Sequence, residues 1–200
     1  MADSNRFETV PDDRDALACL SLQQLWQLFP IKLVPPDPAW AENYQEMVDY
    51  LQKGLQGFRV ERISHVGSTA VPGLWAKPIV DILVELSAGE DMAAATQRLQ
   101  DLGFTCMAQR AGRASFNWGY TLKGFASKVY HLHLRFAGDN DELYFRDYLA
   151  QHAHVAQEYA ALKLSLWREY EHDRDAYTAA KTDFIQSVVD RAKREYGRRY

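Results

Sequence analysis

Two hundred residues, 47% hydrophobic and 12% aromatic, suffice to bury one full core, so one main domain is expected. The formal charge of -4 argues against a duplex nucleic-acid binder, whose footprint is basic, although a small anionic ligand needs only a few local donors. No apolar run approaches the roughly 20 residues that cross a bilayer, and the polar start Met-Ala-Asp-Ser-Asn-Arg lacks a signal-peptide core; a cytoplasmic protein without membrane partners is expected.

Residues 1–11 read as disordered. From Asp12 to Phe29, Leu17, Leu20, Leu25, Trp26 and Leu28 recur at roughly helical spacing until Pro30 stops the run. Ile31 to Val34 reads as a short strand or extended lead-in. Asp37-Pro38 supplies an N-cap followed by proline at the first helical position, and a helix to Leu55 carries Trp40, Tyr44, Met47, Val48 and Leu51 on one side. Arg59–Val66 and Pro78–Leu86 read as the two central strands. A helix from about Gly89 to Leu102 ends at Gly103, and strands follow at Phe104–Met107, Ala114–Leu122 and Lys128–Phe136. In the last of these, Val129, His131, His133 and Arg135 share one face. From Asp139 onward the chain is helical: Asp141–His152, His154–Glu171 with Val155, Tyr159, Leu162 and Leu166 as its stripe, and a third helix from about Asp175. The basic stretch from Arg191 to Arg199 suits a helix C-terminus. Cys19 and Cys106 show neither zinc nor redox spacing and are expected as free buried thiols in a reducing compartment, with a disulfide as the alternative. This order of elements implies an α+β or mixed α/β domain.

The chemistry concentrates in His65-Val-Gly-Ser-Thr-Ala-Val-Pro-Gly-Leu-Trp-Ala-Lys-Pro-Ile-Val-Asp-Ile-Leu-Val84, a Gly-Ser turn between two apolar runs. Backbone N–H groups and hydroxyls at Gly67, Ser68 and Thr69 can hold a phosphate, with Lys77 screening its charge; as a plainer alternative, Ser68 and Thr69 form the turn and Lys77 is a solvated edge residue. Asp81 is the lone acid in an apolar strand, costly to bury uncompensated and able to hold Mg²⁺.

The segment HVGSTAVPGLWAKPIVDILV resembles the signature of the GrpB family. VPPDPAWAENYQE, HLHL at His131–Leu134, FRDYLAQH at Phe145–His152, EYAALKLSL and AYTAAKTDFI also match, so the resemblance covers roughly Lys32 to Arg191. It implies a divergent nucleotidyltransferase-like fold of the kind shared with DNA polymerase β: a small mixed sheet flanked by helices, with a helical C-terminal part. Residues 1–30 then form an N-terminal extension, a disordered start plus a helix, before a family-like domain over 31–200. Some relatives are fused to dephospho-coenzyme A kinase, a hint of nucleotide or coenzyme metabolism. The superfamily pattern places acid-x-acid on the strand after the Gly-Ser turn and a third acid on a later strand, so that two Mg²⁺ ions can be held. Here Asp81 fits, but Leu83 stands in the second position. Glu85, on the same face, is about 13 Å along the strand, since strands rise roughly 3.3 Å per residue. His131 and His133 occupy the place of the third acid.

The resemblance and the residues together suggest a metal-dependent nucleotidyltransferase-like protein binding a nucleoside triphosphate and a small-molecule acceptor. Asp81 would be its Mg²⁺ ligand, with Glu85 or His133 assisting. His65, His131, Arg146 and Lys181 are candidates for the substrate pocket, while His65 also reads as a satisfied strand histidine and Arg146 as packing. Tyr177 would help close the site, and Trp118 and Tyr120 would form a stacking wall or simply core. Two rivals share the pocket: a nucleotide- or phosphate-binding module that has lost catalysis, favoured by Leu83, and a hydrolase with His131 or His133 as base. Oligomeric state is left open.

Overall fold

The computed structural model of the protein describes residues 13–200, so the expected disorder over residues 1–11 lies outside the described residues. Where one helix was expected over 12–29 there are two, α1 (Arg14–Ala18) and α2 (Leu22–Leu28). Ser21 starts the second through a capping box with Gln24, which explains the break. Ile31–Val34, read as a short strand or an extended lead-in, is no strand and makes one bridge, Val34 to Ala76. The helix α3 (Ala39–Gly54) begins where Asp37 Oδ1 accepts the Ala39 N–H.

Five strands follow: β1 (Val60–Val66), β2 (Val80–Leu86), β3 (Thr105–Arg110), β4 (Arg113–Thr121) and β5 (Gly124–Phe136). They form one mixed sheet in the order β1-β2-β5-β4-β3. Of its four strand pairs, β2 with β5 is parallel; the other three are antiparallel. The parallel pair is separated by a long connection, as parallel pairing requires. That connection contains α4 (Met92–Asp101), which starts later than the sequence implied because the Asp91 carboxylate accepts from Ala93 and Ala94 N–H and leaves Gly89 outside. β5 starts earlier than expected, because Thr121 and Gly124 close a tight hairpin.

The two-residue period sorts the strands into two faces. Val80, Ile82, Val84 and Leu86 of β2 join Tyr130, Leu132 and Leu134 of β5 against Met47 and Leu51 of α3 and Leu99 of α4. This is the main apolar core. The opposite face carries Asp81, Leu83 and Glu85 beside His131, His133 and Arg135. It is covered by the C-terminal helices α5 (Asp141–Gln151), α6 (Ala153–Glu169), α7 (Arg174–Ala179) and α8 (Thr182–Tyr196); the expected third helix is divided at Ala180–Lys181. α5, α6 and α8 build a second apolar core around Phe145, Tyr148, Val155, Tyr159 and Val188. Val71 and Leu74, from the connection between β1 and β2, are buried in it, which pins that connection beneath the helices. Among the described residues, no helix is long and apolar enough to cross a membrane.

Candidate functional site

A cavity of about 540 Å³ lies between the polar face of the sheet and α5 to α8, with Asp81 among its lining residues. β1 ends at Val66, directly opposite Asp81. The chain then turns at Gly67, with φ 71° and ψ -169°, into a single 3₁₀ turn over Ser68–Ala70. The approach is so close that a Cβ on Gly67 would lie 2.3 Å from Asp81 Oδ2. Only glycine allows both this conformation and this contact.

A chain of hydrogen bonds holds Asp81 from the other side. Arg174 Nη2 donates to the Tyr120 hydroxyl at 2.8 Å, Tyr120 lies 2.8 Å from His131 Nε2, and His131 Nδ1 lies 3.0 Å from Asp81 Oδ1. Arginine can only donate, so the tyrosine oxygen accepts and its O–H is free to point at Nε2. His131 then carries its proton on Nδ1 and donates it to Asp81. Burial would raise the Asp81 carboxyl, but the hydrogen bond from His131 and the charges of His131, His133 and Lys77 outweigh it and hold it below its ordinary range.

Around this carboxylate stand four cations from separate segments: Lys77 before β2, Lys163 of α6, Arg174 of α7 and Lys181 between α7 and α8. Each faces an aromatic ring. Lys77 and Lys181 lie 5.7 and 4.0 Å from the Tyr177 ring centre, Lys163 lies 4.8 Å from that of Tyr159, and Arg174 is 5.4 Å from that of Tyr120. Such rings attract a cation without cancelling its charge. Among the described residues, no carboxylate forms an ion pair with any of the four. Burial, together with repulsion from Arg174, lowers Lys77 to about 8; burial and neighbouring lysines lower Lys163 and Lys181 to about 7. Lys163 also secures the turn, donating to Ser68 Oγ at 3.0 Å and to the Trp75 carbonyl.

Of the residues singled out from the sequence, Gly67, Ser68, Thr69, Lys77, Asp81, His131, His133 and Lys181 line this cavity. Thr69 nevertheless has its hydroxyl engaged: it donates to the Ile79 carbonyl at 3.2 Å and lies 3.0 Å from His65 Nε2. Three other residues stand elsewhere. His65, stacked on Tyr44, supports Thr69 from behind the turn. Arg146 donates to the His65 carbonyl at 2.9 Å and pairs with Asp147, so it ties α5 to β1. Glu85 is fully buried beyond Leu83, where Arg62, Gly138 and Asn140 hold it, and it cannot assist Asp81. Trp118 packs in the main core, whereas Tyr120 belongs to the hydrogen-bonded chain.

Sequence reasoning missed Lys163, Arg174 and Tyr159. One signal was available: Val155, Tyr159, Lys163 and Leu166 fall at the spacing of one buried helix face, where a lysine is out of place.

The Mg²⁺ site expected at Asp81 does not fit these residues. Among the described residues Asp81 is the one carboxylate that stands amid the four cations, and His131 engages it. Leu83 is fully buried in an apolar cluster with Val66 and Leu143. Three further acids line the wall, but Asp141 pairs with Lys193, Glu142 with Arg135, and Asp175 is exposed at the rim. Among the described residues, no three His, Cys, Asp or Glu side chains are grouped to hold a metal.

Acid stability follows from two of the histidines. Burial lowers His65 and His133 to about 4, with Arg146 and Arg135 respectively reinforcing it and Asp81 opposing it. Unfolded, each would titrate near its ordinary value of 6.5. Between these values the unfolded chain binds more protons than the folded one, so stability present above pH 6.5 is lost as pH falls towards 4. A melting-temperature fall of ~10 °C across this window is expected from calorimetry, with the slope roughly halved in His133→Gln. An unchanged slope in that variant would show that His133 is already charged in the fold.

The profile of the family described as GrpB protein matches residues 30–191. The chain belongs to the GrpB family. All cavity-lining residues, from Leu33 to Val189, lie within that match. A UPF0157 protein of Pseudomonas aeruginosa is 31% identical over 194 residues, covering 95% of this chain and 72% of that protein. The crystal structure of GrpB from Enterococcus faecalis superposes with a TM-score of 0.71 at 26% identity, over 82% of this chain and 99% of that one. A dephospho-CoA kinase of Mycolicibacterium paratuberculosis is 30% identical over 189 residues; the match covers 82% of this chain but only 46% of the kinase. The pocket of this chain therefore lies within the family-matched region, and the kinase has about as much chain again outside its match.

Proposed function

We propose that this GrpB-family protein binds the phosphate groups of a nucleotide-class ligand in the cavity above Asp81. The observation that carries this reading is the convergence of Lys77, Lys163, Lys181 and Arg174 on one cavity, backed by aromatic rings instead of carboxylates. Rings do not neutralise these groups as a carboxylate would, so a bound phosphate can hold the lysines charged against the burial that lowers them, and charge-assisted hydrogen bonds to phosphate are the strong ones. Ser68, held on the wall by Lys163, adds a hydroxyl. The geometry favours binding over two-metal nucleotidyl transfer, because Leu83 and Glu85 supply no second carboxylate beside Asp81. It also disfavours histidine-based hydrolysis: both His131 nitrogens are engaged, and His133, lowered to about 4, is a weak base.

The test is a thermal-shift comparison of ATP, dephospho-coenzyme A and adenosine on the wild type and on Arg174→Gln. Dephospho-coenzyme A is included because one relative is named as its kinase. A ligand at about 100 times its Kd stabilises the native state by about 2.7 kcal/mol, a rise of ~5–10 °C for a chain of this size. The phosphorylated ligands should give that rise, adenosine none, and Arg174→Gln a much smaller one. Equal shifts with adenosine, or none with any phosphate, would overturn the reading.

A further inference from the structure

The charge arrangement of the pocket points beyond phosphate binding in general, and this step rests on the reading above. We infer that the lysine cluster occupies the role usually given to divalent cations: the pocket takes a polyphosphate chain of two or more linked phosphates, free of bound Mg²⁺, and Mg²⁺ does not complete the site.

Three observations carry this. The first is the count of charge. Lys77, Lys163, Lys181 and Arg174 face Asp81 alone, since Asp141 and Glu142 have cations of their own and Asp175 lies at the exposed rim. A single phosphate group brings about −1.5 to −2 at neutral pH, less than the surplus of these four groups over Asp81 once a ligand has drawn the lysines into their protonated form, whereas a linked chain can match it. The second is geometry. The four cations come from the segment before β2, from α6, from the start of α7 and from the turn between α7 and α8, so they surround a volume and do not line a single edge. Metal-bound polyphosphate sites use carboxylates to anchor the ion and need few fixed cations; here the proportion is reversed. The third is that Asp81 is already committed. His131 donates to one oxygen, and Gly67 passes against the other at a distance that leaves no room for a Cβ. A divalent ion placed beside Asp81 would also be repelled by Lys77, whose charge acts on that carboxylate.

The same arrangement links binding to protons. In the ligand-free pocket, burial favours the neutral lysines, reinforced by Arg174 at Lys77 and by the neighbouring lysines at Lys163 and Lys181; Asp81 opposes this. His131 and His133 of β5, Asp141 and Glu142 of α5, Tyr159 of α6, and Asp175 and Tyr177 of α7 are the other titratable groups on the walls, the two tyrosines held protonated by burial. A polyphosphate restores the charged lysines, so at pH 8 binding takes up protons.

Isothermal titration calorimetry with inorganic tripolyphosphate, pyrophosphate and orthophosphate tests the inference, first in EDTA and then with excess Mg²⁺. Tripolyphosphate is expected to bind in EDTA at least ~tenfold more tightly than orthophosphate and no more tightly when Mg²⁺ is added. Its heat at pH 8 should differ between buffers of different ionisation enthalpy, reporting proton uptake. Lys181→Gln should weaken it by ~tenfold or more while leaving the free protein as stable as wild type or more so, because a crowded buried charge is removed. Lys77→Gln provides a second variant if that one fails to fold. Binding that appears only with Mg²⁺ would overturn this inference and leave the phosphate-binding reading standing. So would orthophosphate binding as tightly as tripolyphosphate. Failure of every phosphate compound with and without Mg²⁺ would overturn both.

Discussion

Gly67→Ala is expected to lose about 2–4 kcal/mol of stability and to abolish the response to phosphate ligands. Two separate costs combine. The backbone at φ 71° and ψ -169° lies in a region reserved almost wholly for glycine, and a residue with a side chain pays about 1–3 kcal/mol to stay there. The new methyl group would also lie 2.3 Å from Asp81 Oδ2 and 3.0 Å from Asp81 Cβ. A free aspartate would swing aside, but this one is held by His131, which is held by Tyr120 and through it by Arg174. Relief of the clash therefore breaks the hydrogen-bonded chain or lifts the 3₁₀ turn off the sheet. Gly73→Ala separates the two costs. Gly73 also has positive φ, 75°, but a Cβ there would meet nothing within 4 Å, so it should lose about 1 kcal/mol and keep ligand binding. Denaturant unfolding of both variants provides the measurement. Equal losses would mean that the contact with Asp81 carries no energy.

The parts of the site that were legible in the sequence are those that lie close together in it. Gly67, Ser68, Lys77 and Asp81 fall within one turn and the strand after it, so turn chemistry and a lone acid in an apolar run were enough to mark them. Alternation along β5 likewise placed His131 and His133 on one face, and pairing with β2 puts His131 directly beside Asp81. The rest depends on packing between distant segments. Lys163 reaches Ser68 across 95 positions, and Arg174 reaches Tyr120 across 54. Neither has a local pattern that names its partner. Glu85 shows the opposite difficulty. Period two correctly puts it on the face of Asp81, yet that face is divided: Leu83, Val66 and Leu143 form an apolar plug, with the pocket on one side and the Arg62–Glu85 pair on the other. Periodicity reads the face of a strand, whereas the division arises when α5 docks on it. The helices show the same limit at smaller scale, since the capping side chains of Ser21 and Asp91 moved boundaries that hydrophobic spacing alone had placed differently.

Leu83→Asp, which supplies the acid-x-acid spacing that the chain lacks, is expected to destabilise the fold by about 3 kcal/mol without creating a metal site. Leu83 is fully buried against Val66 and Leu143, and replacing a buried leucine with a carboxylate both removes apolar contact and desolvates a charge. One feature limits the loss. Leu83 is paired with His133 in the same register in which Asp81 is paired with His131, and among the described residues the buried Nδ1 of His133 has no hydrogen-bond partner. That orphaned nitrogen is the counterpart of the leucine: where β2 carries aspartate, the histidine beside it is satisfied, and where β2 carries leucine, it is not. A new carboxylate at position 83 would therefore find His133 and raise its pKa from about 4 towards and beyond its ordinary value. NMR titration of His133 and denaturant unfolding measure the two effects together. An upward shift with a loss of about 3 kcal/mol would mean that the second acid is captured by its histidine, as the first already is, and that adding a carboxylate does not turn this lysine-lined pocket into a two-metal site. A loss below about 1 kcal/mol with tight Mg²⁺ binding would instead mean that the plug is soft and that the pocket stands one residue away from metal chemistry.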